Sequence, residues 1–261
     1  MDVGNFGFVV AGLIVGFIVG MTGVGGGSLM TPILLWFGIN PATAVGTDLL
    51  YAAITKSGGV LVHSKNRNID WTITGWLTLG SVPAVLLTLW FLASLHTDPS
   101  AMNAVIKQAL GFVLLLTALA ILFKKSLLAF AQRHAGDDYH MNPRNLNALT
   151  VVTGAVLGTM VALTSIGAGA LGTVALFILY PFLATRRLVG TEIAHAVPLT
   201  LVAGLGHASM GNMDWQLLGF LLMGSLPGIY LGSHMTGKVP DGVLRPCLAV
   251  MLMTIGYKLA F

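Results

Sequence analysis

The sequence predicts an all-α polytopic membrane protein made of two inverted repeats of five segments, each repeat holding one glycine-broken half-helix. Three observations predict this. Of 261 residues, 56% are hydrophobic and 8% charged, with a mean hydropathy of +0.87; a soluble domain has about a quarter charged. The apolar residues run continuously instead of alternating, which favours helices over a barrel. The third observation is that the second half of the chain repeats the first.

The repeat is legible residue by residue. Val9-Val10-Ala11-Gly12 aligns with Val151-Val152-Thr153-Gly154, and Gly16, Thr22, Gly25 and Gly27 with Gly158, Thr164, Gly167 and Gly169, all at an offset of 142. After a two-residue insertion the offset becomes 144. Gly46-Thr47-Asp48 then aligns with Gly190-Thr191-Glu192, His63 with His207, and Asp70-Trp71 with Asp214-Trp215. Gly75 aligns with Gly219, and Gly80-Ser81-Val82-Pro83 with Gly224-Ser225-Leu226-Pro227.

In chain order, the first segment, Phe6–Thr22, follows a terminus without the basic region of a signal peptide and is expected to be retained. The second, Ser28–Phe37, is too short at 1.5 Å per residue to cross a core of about 30 Å, so it is read as a half-helix. Thr43–Leu61 holds Asp48 and Lys56 among apolar residues. Trp71–Leu92 starts at an interfacial tryptophan behind an N-capping Asp70, with Pro83 expected to kink it. Ala101–Phe123 completes the repeat, and Leu146–Thr164, Gly169–Leu183, Gly190–His207, Trp215–Met235 and Gly242–Ala260 follow in the second half. The domains are thus repeat 1–123, a polar cytoplasmic loop 124–145 and repeat 146–261.

Orientation follows from the positive residues. With five segments per repeat and the loop of Lys65 and Arg67 inside, Lys124, Lys125, Arg133, Arg144, Arg186, Arg187, Lys238 and Arg245 also fall inside. Four segments would send the last four of these outside. The positive-inside rule favours five plus five, N-out and C-out, and hence inverted repeats. The net charge of +4 then reads as a topology signal, with no nucleic-acid partner implied.

Chemistry concentrates at the two breaks. Met21-Thr22-Gly23-Val24-Gly25-Gly26-Gly27-Ser28 and its echo Thr164-Ser165-Ile166-Gly167-Ala168-Gly169 interrupt helices where a membrane segment should continue. A helix starting after such a break leaves N–H groups unpaired, with the positive end of its dipole behind them, and so suits an anion. Paired breaks in two halves point to a transporter's binding site near the midplane. The substrate-binding candidates are Thr22, Gly25, Gly26, Gly27, Ser28, Thr47, Thr164, Ser165, Gly167, Gly169 and Thr191, with Thr31 and Thr173 as further hydroxyl donors. The plainer alternative is that small residues merely let helices pack closely.

Asp48 and Glu192 occupy equivalent positions one turn into their segments. They are either proton-coupling groups or structural residues meeting the helix dipole. Lys56 lies two turns beyond Asp48, about 80° around the helix, placed to attract an anion or to neutralise a carboxylate; its equivalent is Thr200. His195 shares a face with Glu192 and reads as its hydrogen-bond partner. His63 and His207 end their helices, where the dipole favours histidine. The single Cys247 excludes an internal disulfide, and neither a metal motif, a cofactor motif nor a nucleophile–base pair is present. An enzyme is not expected.

The stretch Gly25-Gly26-Gly27-Ser28 with Pro32, the Gly46-Thr47 and Gly190-Thr191 pairs, the duplication and the length together resemble the sulfite exporter TauE/SafE family, also called the toluene-sulfonate uptake permeases. The resemblance spans nearly the whole chain. It implies a prokaryotic inner-membrane carrier of sulfur oxyanions or organosulfur acids, with Gly25, Gly26, Gly27, Ser28, Gly46 and Thr47 in the first signature and Gly167, Gly169, Gly190 and Thr191 in the second. Ala168, Ala170 and the lack of a counterpart to Pro32 depart from that pattern. The expected partners are a small anionic substrate and the lipid bilayer; a homo-oligomer is compatible with the sequence and not specified by it. Two rivals remain open: an anion channel, and a membrane assembly or maturation factor.

Overall fold

The structure, a computed structural model, describes residues 3–22, 27–95, 98–134, 142–234 and 241–261. All regular structure among them is helical: α1 Val3–Thr22, α2 Gly27–Trp36, α3 Pro41–Lys65, α4 Trp71–Ser94, α5 Pro99–His134, α6 Pro143–Thr164, α7 Ala170–Leu179, α8 Thr185–Ser209, α9 Trp215–His234 and α10 Asp241–Ala260. The five helices α4, α5, α6, α8 and α9 are long and apolar enough to cross a membrane. The half-helix reading of the second segment is met by ten-residue α2, and α7 is equally short.

The exterior is apolar, with Leu87, Trp90, Val156, Tyr230 and Leu231 exposed, while Thr47, Asp48, Lys56, Glu192 and His195 are buried. Such an inverted distribution suits lipid as the solvent.

Glycine packs these helices together. Gly12, Gly16 and Gly20 on α1 lie against Leu221, Ser225 and Ile229 of α9, and Gly224, Gly228 and Gly232 answer from α9 onto Val9, Leu13 and Phe17. The pairing rises in step, so α1 and α9 run parallel. In the matched pair, Gly80 of α4 lies on Val151, while Gly154 and Gly158 of α6 lie on Leu77 and Ser81, again parallel. Each repeat's first helix is therefore embraced by the other repeat's fourth. The equivalent helices α3 and α8 pack antiparallel, Gly46 near His207 and Gly190 near His63. Helices α5 and α10 do likewise, Gly111 meeting Ala260 and Gly256 meeting Leu114.

Several expectations change. Helices α3 and α8 begin at Pro41 and Thr185, so Asp48 and Glu192 lie two turns inside, not one. The dipole effect fades within the first turn, so these carboxylates lie beyond its reach. Helix α5 continues through the first part of the polar loop to His134, and residues 135–141 lie outside the described residues.

Asp70 caps α4 as expected, accepting from the Thr72 and Ile73 N–H groups at 3.1 and 3.2 Å, and it pairs with Arg187 of α8 at 2.9 Å. Asp70→Ala is expected to lower unfolding stability by about 1 kcal/mol, mostly through the cap. Arg187 is half exposed, so Arg187→Ala should cost less than half as much. Thermal unfolding of both variants in detergent checks the order.

Candidate functional site

The second break is built by glycine geometry. Helix α6 ends at Thr164, after which Ser165 turns left-handed at φ 58°. Gly167 and Gly169 follow at φ 124° and 154°, values that side chains other than glycine's rarely tolerate. The chain thereby reverses and restarts as α7, whose N-cap Gly169 offers no side-chain acceptor to the first N–H groups. Thr164 serves the break itself: its hydroxyl accepts from Ile166 N–H at 3.1 Å and donates to Met160 C=O at 2.6 Å. The Ser165 hydroxyl, in contrast, is buried and unpartnered.

Opposite this break stand the charges. Asp48 is 0% exposed, Glu192 2% and Lys56 8%. Asp48 Oδ2 accepts from the Thr31 hydroxyl of α2 at 2.5 Å, whereas Oδ1 has no partner. The Ser165 hydroxyl approaches that carboxylate without reaching hydrogen-bond geometry. Lys56 reaches across from α3 and its Nζ donates to the Ala168 carbonyl inside the break. Its ammonium lies within electrostatic range of both carboxylates. Among the described residues, however, it forms no salt bridge with either. Glu192 lies over the start of α7 at Gly172, where an added Cβ would meet Glu192 Cγ at 3.0 Å and Oε1 at 3.1 Å. The bare glycine makes room for the longer acid. Its Oε1, like Asp48 Oδ1, is buried without a partner.

The two halves are alike in layout but not in chemistry. Thr173, the counterpart of Thr31, donates to its own Gly169 carbonyl at 2.6 Å. Thr200, the counterpart of Lys56, donates to its own Ala196 carbonyl at 2.8 Å. Among the described residues, the site therefore carries one basic side chain, Lys56, from the first half.

Other predicted residues fall elsewhere. Thr47 and Thr191 are not turned to the breaks: their hydroxyls accept from Asp214 N–H at 3.2 Å and Asp70 N–H at 2.9 Å. Next to them, Gly46 and Gly190 allow the carbonyls of Asn212 and Asn68 to approach. Each Gly-Thr pair thus staples its helix to the turn that starts the other repeat's fourth helix. His195 is not the partner of Glu192; its Nε2 lies 2.9 Å from the Ser81 hydroxyl of α4. His207 Nε2 donates to the Ala162 carbonyl at 2.9 Å in a buried position, so it bridges α8 to α6 instead of merely ending its helix. Gly25 and Gly26 lie outside the described residues, as do the side chains of Thr22 and Ser28; Thr22 and Gly27 bound the first break as the last residue of α1 and the first of α2.

Residues not singled out from the sequence complete the surroundings. Tyr51, the counterpart of His195, places its hydroxyl near Ser225 without reaching hydrogen-bond geometry, whereas His195 meets Ser81 at 2.9 Å. Their signal lay in the aligned Gly-Ser-x-Pro pairs and in the shared spacing three residues after each carboxylate. The Ala168 carbonyl had no signal, because backbone orientation within a break is not encoded by residue type.

The sequence pattern of the family described as Sulfite exporter TauE/SafE matches residues 8–259. YjnA of Bacillus subtilis, named "Probable membrane transporter protein", is 39% identical over 252 residues, covering 96% of this chain and 98% of its own. YdhB of the same organism, given the same description, is 28% identical over 95% of this chain and 97% of its own. MJ0441 of Methanocaldococcus jannaschii, also so described, is 26% identical over 95% and 92%. No solved structure matches the chain.

Proposed function

Because the chain belongs to the sulfite exporter TauE/SafE family, we propose that it carries a small anion, a sulfur oxyanion or sulfonate, by alternating access across a prokaryotic inner membrane. It is a multi-pass membrane protein whose relatives are named as membrane transporters. The observation that carries the substrate reading is the convergence at the second break. There the start of α7, which has no side-chain cap although Gly172 N–H donates to the Gly167 carbonyl, the unpartnered Ser165 hydroxyl and the buried Lys56 ammonium all offer donor or positive character, which suits an anion. The first break, through Gly25 to Ser28, would complete the site from the other repeat. Burial of the whole charge cluster favours an occluding carrier over an open channel. Asp48 and Glu192 are assigned to proton coupling.

Inverted repeats are supported by the antiparallel packing of the equivalent helices α3 with α8 and α5 with α10; repeats of one orientation would make such pairs parallel. Contact of Asn68 with Gly190 and of Asp70 with Arg187 puts two basic turns at one end of the molecule. That agrees with a cytoplasmic end there and with both termini outside.

The test is thermal unfolding of the purified protein against small anions at two pH values. A ligand of the native state at a hundredfold its Kd stabilises by about 2.7 kcal/mol. Sulfite or a sulfonate is expected to raise the melting temperature, and chloride or acetate to leave it unchanged. A response to metal ions with silence across the anions would refute the reading and favour a maturation factor.

A further inference from the structure

Resting on the carrier reading above, we infer that the buried cluster of Asp48, Lys56 and Glu192 admits only a singly charged anion, and takes up one proton with each. The argument is a charge count in a site closed to water. All three groups are buried, and among the described residues Lys56 is the one basic group that faces the two carboxylates. An uncompensated charge in such surroundings is strongly disfavoured, so each long-lived state of the cluster is neutral overall.

With the site empty, neutrality requires two dissociable protons among the three groups. They are one on Lys56 and one on a carboxylate, or two on the carboxylates beside an uncharged lysine; the number is the same either way. A bound monoanion requires a third proton. Asp48 Oδ1 and Glu192 Oε1, buried and unpartnered, are the atoms open to it. The fully protonated cluster carries a single positive charge, so a dianion would leave one negative charge uncompensated. The other titratable groups facing the cluster do not extend this limit. His195 has Nε2 tied to Ser81 and His207 has Nε2 tied to the Ala162 carbonyl, while Nδ1 of each is buried without an acceptor for a second N–H. Tyr51, beside Asp48, adds no positive charge. Cycling is therefore electroneutral, and protons are shared by the cluster instead of belonging to one acid.

The experiment uses the full chain in proteoliposomes with ethanesulfonate, a fixed monoanion, and sulfate, a fixed dianion. A gradient of one pH unit is expected to accumulate ethanesulfonate about tenfold on the alkaline side, one proton per anion by an internal pH dye, with no response to a potassium–valinomycin voltage. Sulfate is expected not to accumulate. Asp48→Asn and Glu192→Gln should each slow flux but keep the ratio at one. Lys56→Met should fold, by its unfolding curve, yet lose at least about tenfold in ethanesulfonate affinity, because no charge then compensates the anion; Lys56→Arg should regain it. Voltage-driven flux, sulfate carried as well as ethanesulfonate, or a single amide variant that uncouples flux from pH would overturn the charge count and leave the carrier standing. Absence of flux for sulfite and both sulfur anions would overturn the carrier reading and this inference with it.

Discussion

Gly16→Leu should leave little or no folded protein. Gly16 lies in the parallel seam of α1 and α9, where an added Cβ would stand 2.5 Å from Ser225 O and 2.7 Å from Ser225 Cα. Those are backbone atoms of a helix, which no rotamer change can move aside. Overpacking a well-filled interior costs 1–3 kcal/mol and occasionally more; here, with the seam held by further glycines one turn away on each side, a cost of about 3 kcal/mol or more is expected. The seam also joins the first repeat to the second, so separating it exposes the interface between halves. Gly75→Ala and Gly219→Ala are the controls, since nothing lies within 4 Å of a Cβ at either position. They should be neutral or gain about 0.5–1 kcal/mol from helix propensity. Yield of monodisperse protein and its melting temperature in detergent distinguish the cases. A Gly16→Leu protein that melts like wild type would disprove the close-packed seam.

Gly169→Leu should abolish transport while the protein still inserts and folds. At φ 154° and ψ −95°, a side chain other than glycine's is strained by about 1–3 kcal/mol. The break would relieve that strain by rotating its backbone. The preceding carbonyl, Ala168 O, is the acceptor of Lys56, and the succeeding N–H groups start α7. Both the Lys56 contact and the start of α7 would therefore be misplaced together. Flux in proteoliposomes is expected to fall by more than about tenfold, since small displacements of positioned groups have effects of that size or greater. Wild-type flux in this variant would sink the assignment of the second break. Gly26→Leu at the first break should behave in the same way: loss of transport with insertion retained.

The division between these two groups of glycines was only partly legible in the sequence. Both breaks stood out because glycine and serine replace the apolar run where a membrane helix should persist. Gly46 and Gly190 belonged to the same signature, yet they face approaching carbonyls of the opposite repeat, and their threonines bind the N–H groups of Asp214 and Asp70. A motif records that a residue type is needed at a position; it does not say whether a ligand or a neighbouring helix needs it. Spacing by four at Gly12, Gly16 and Gly20, and at Gly224, Gly228 and Gly232, signalled helix seams. Which helix met which was not contained in it.

By itself, the sequence determined membrane character, the duplication, the shortness of the second segment and the pairing of Asp48 with Glu192, because each depends on composition or on order along the chain. Tertiary structure alone decided that Lys56 reaches the Ala168 carbonyl, that His195 meets Ser81 instead of Glu192, and that each repeat's first helix lies in the other's grasp. Those contacts join residues more than a hundred positions apart. Their partners are chosen by how the two halves interlock, and local residue patterns hold no record of that geometry.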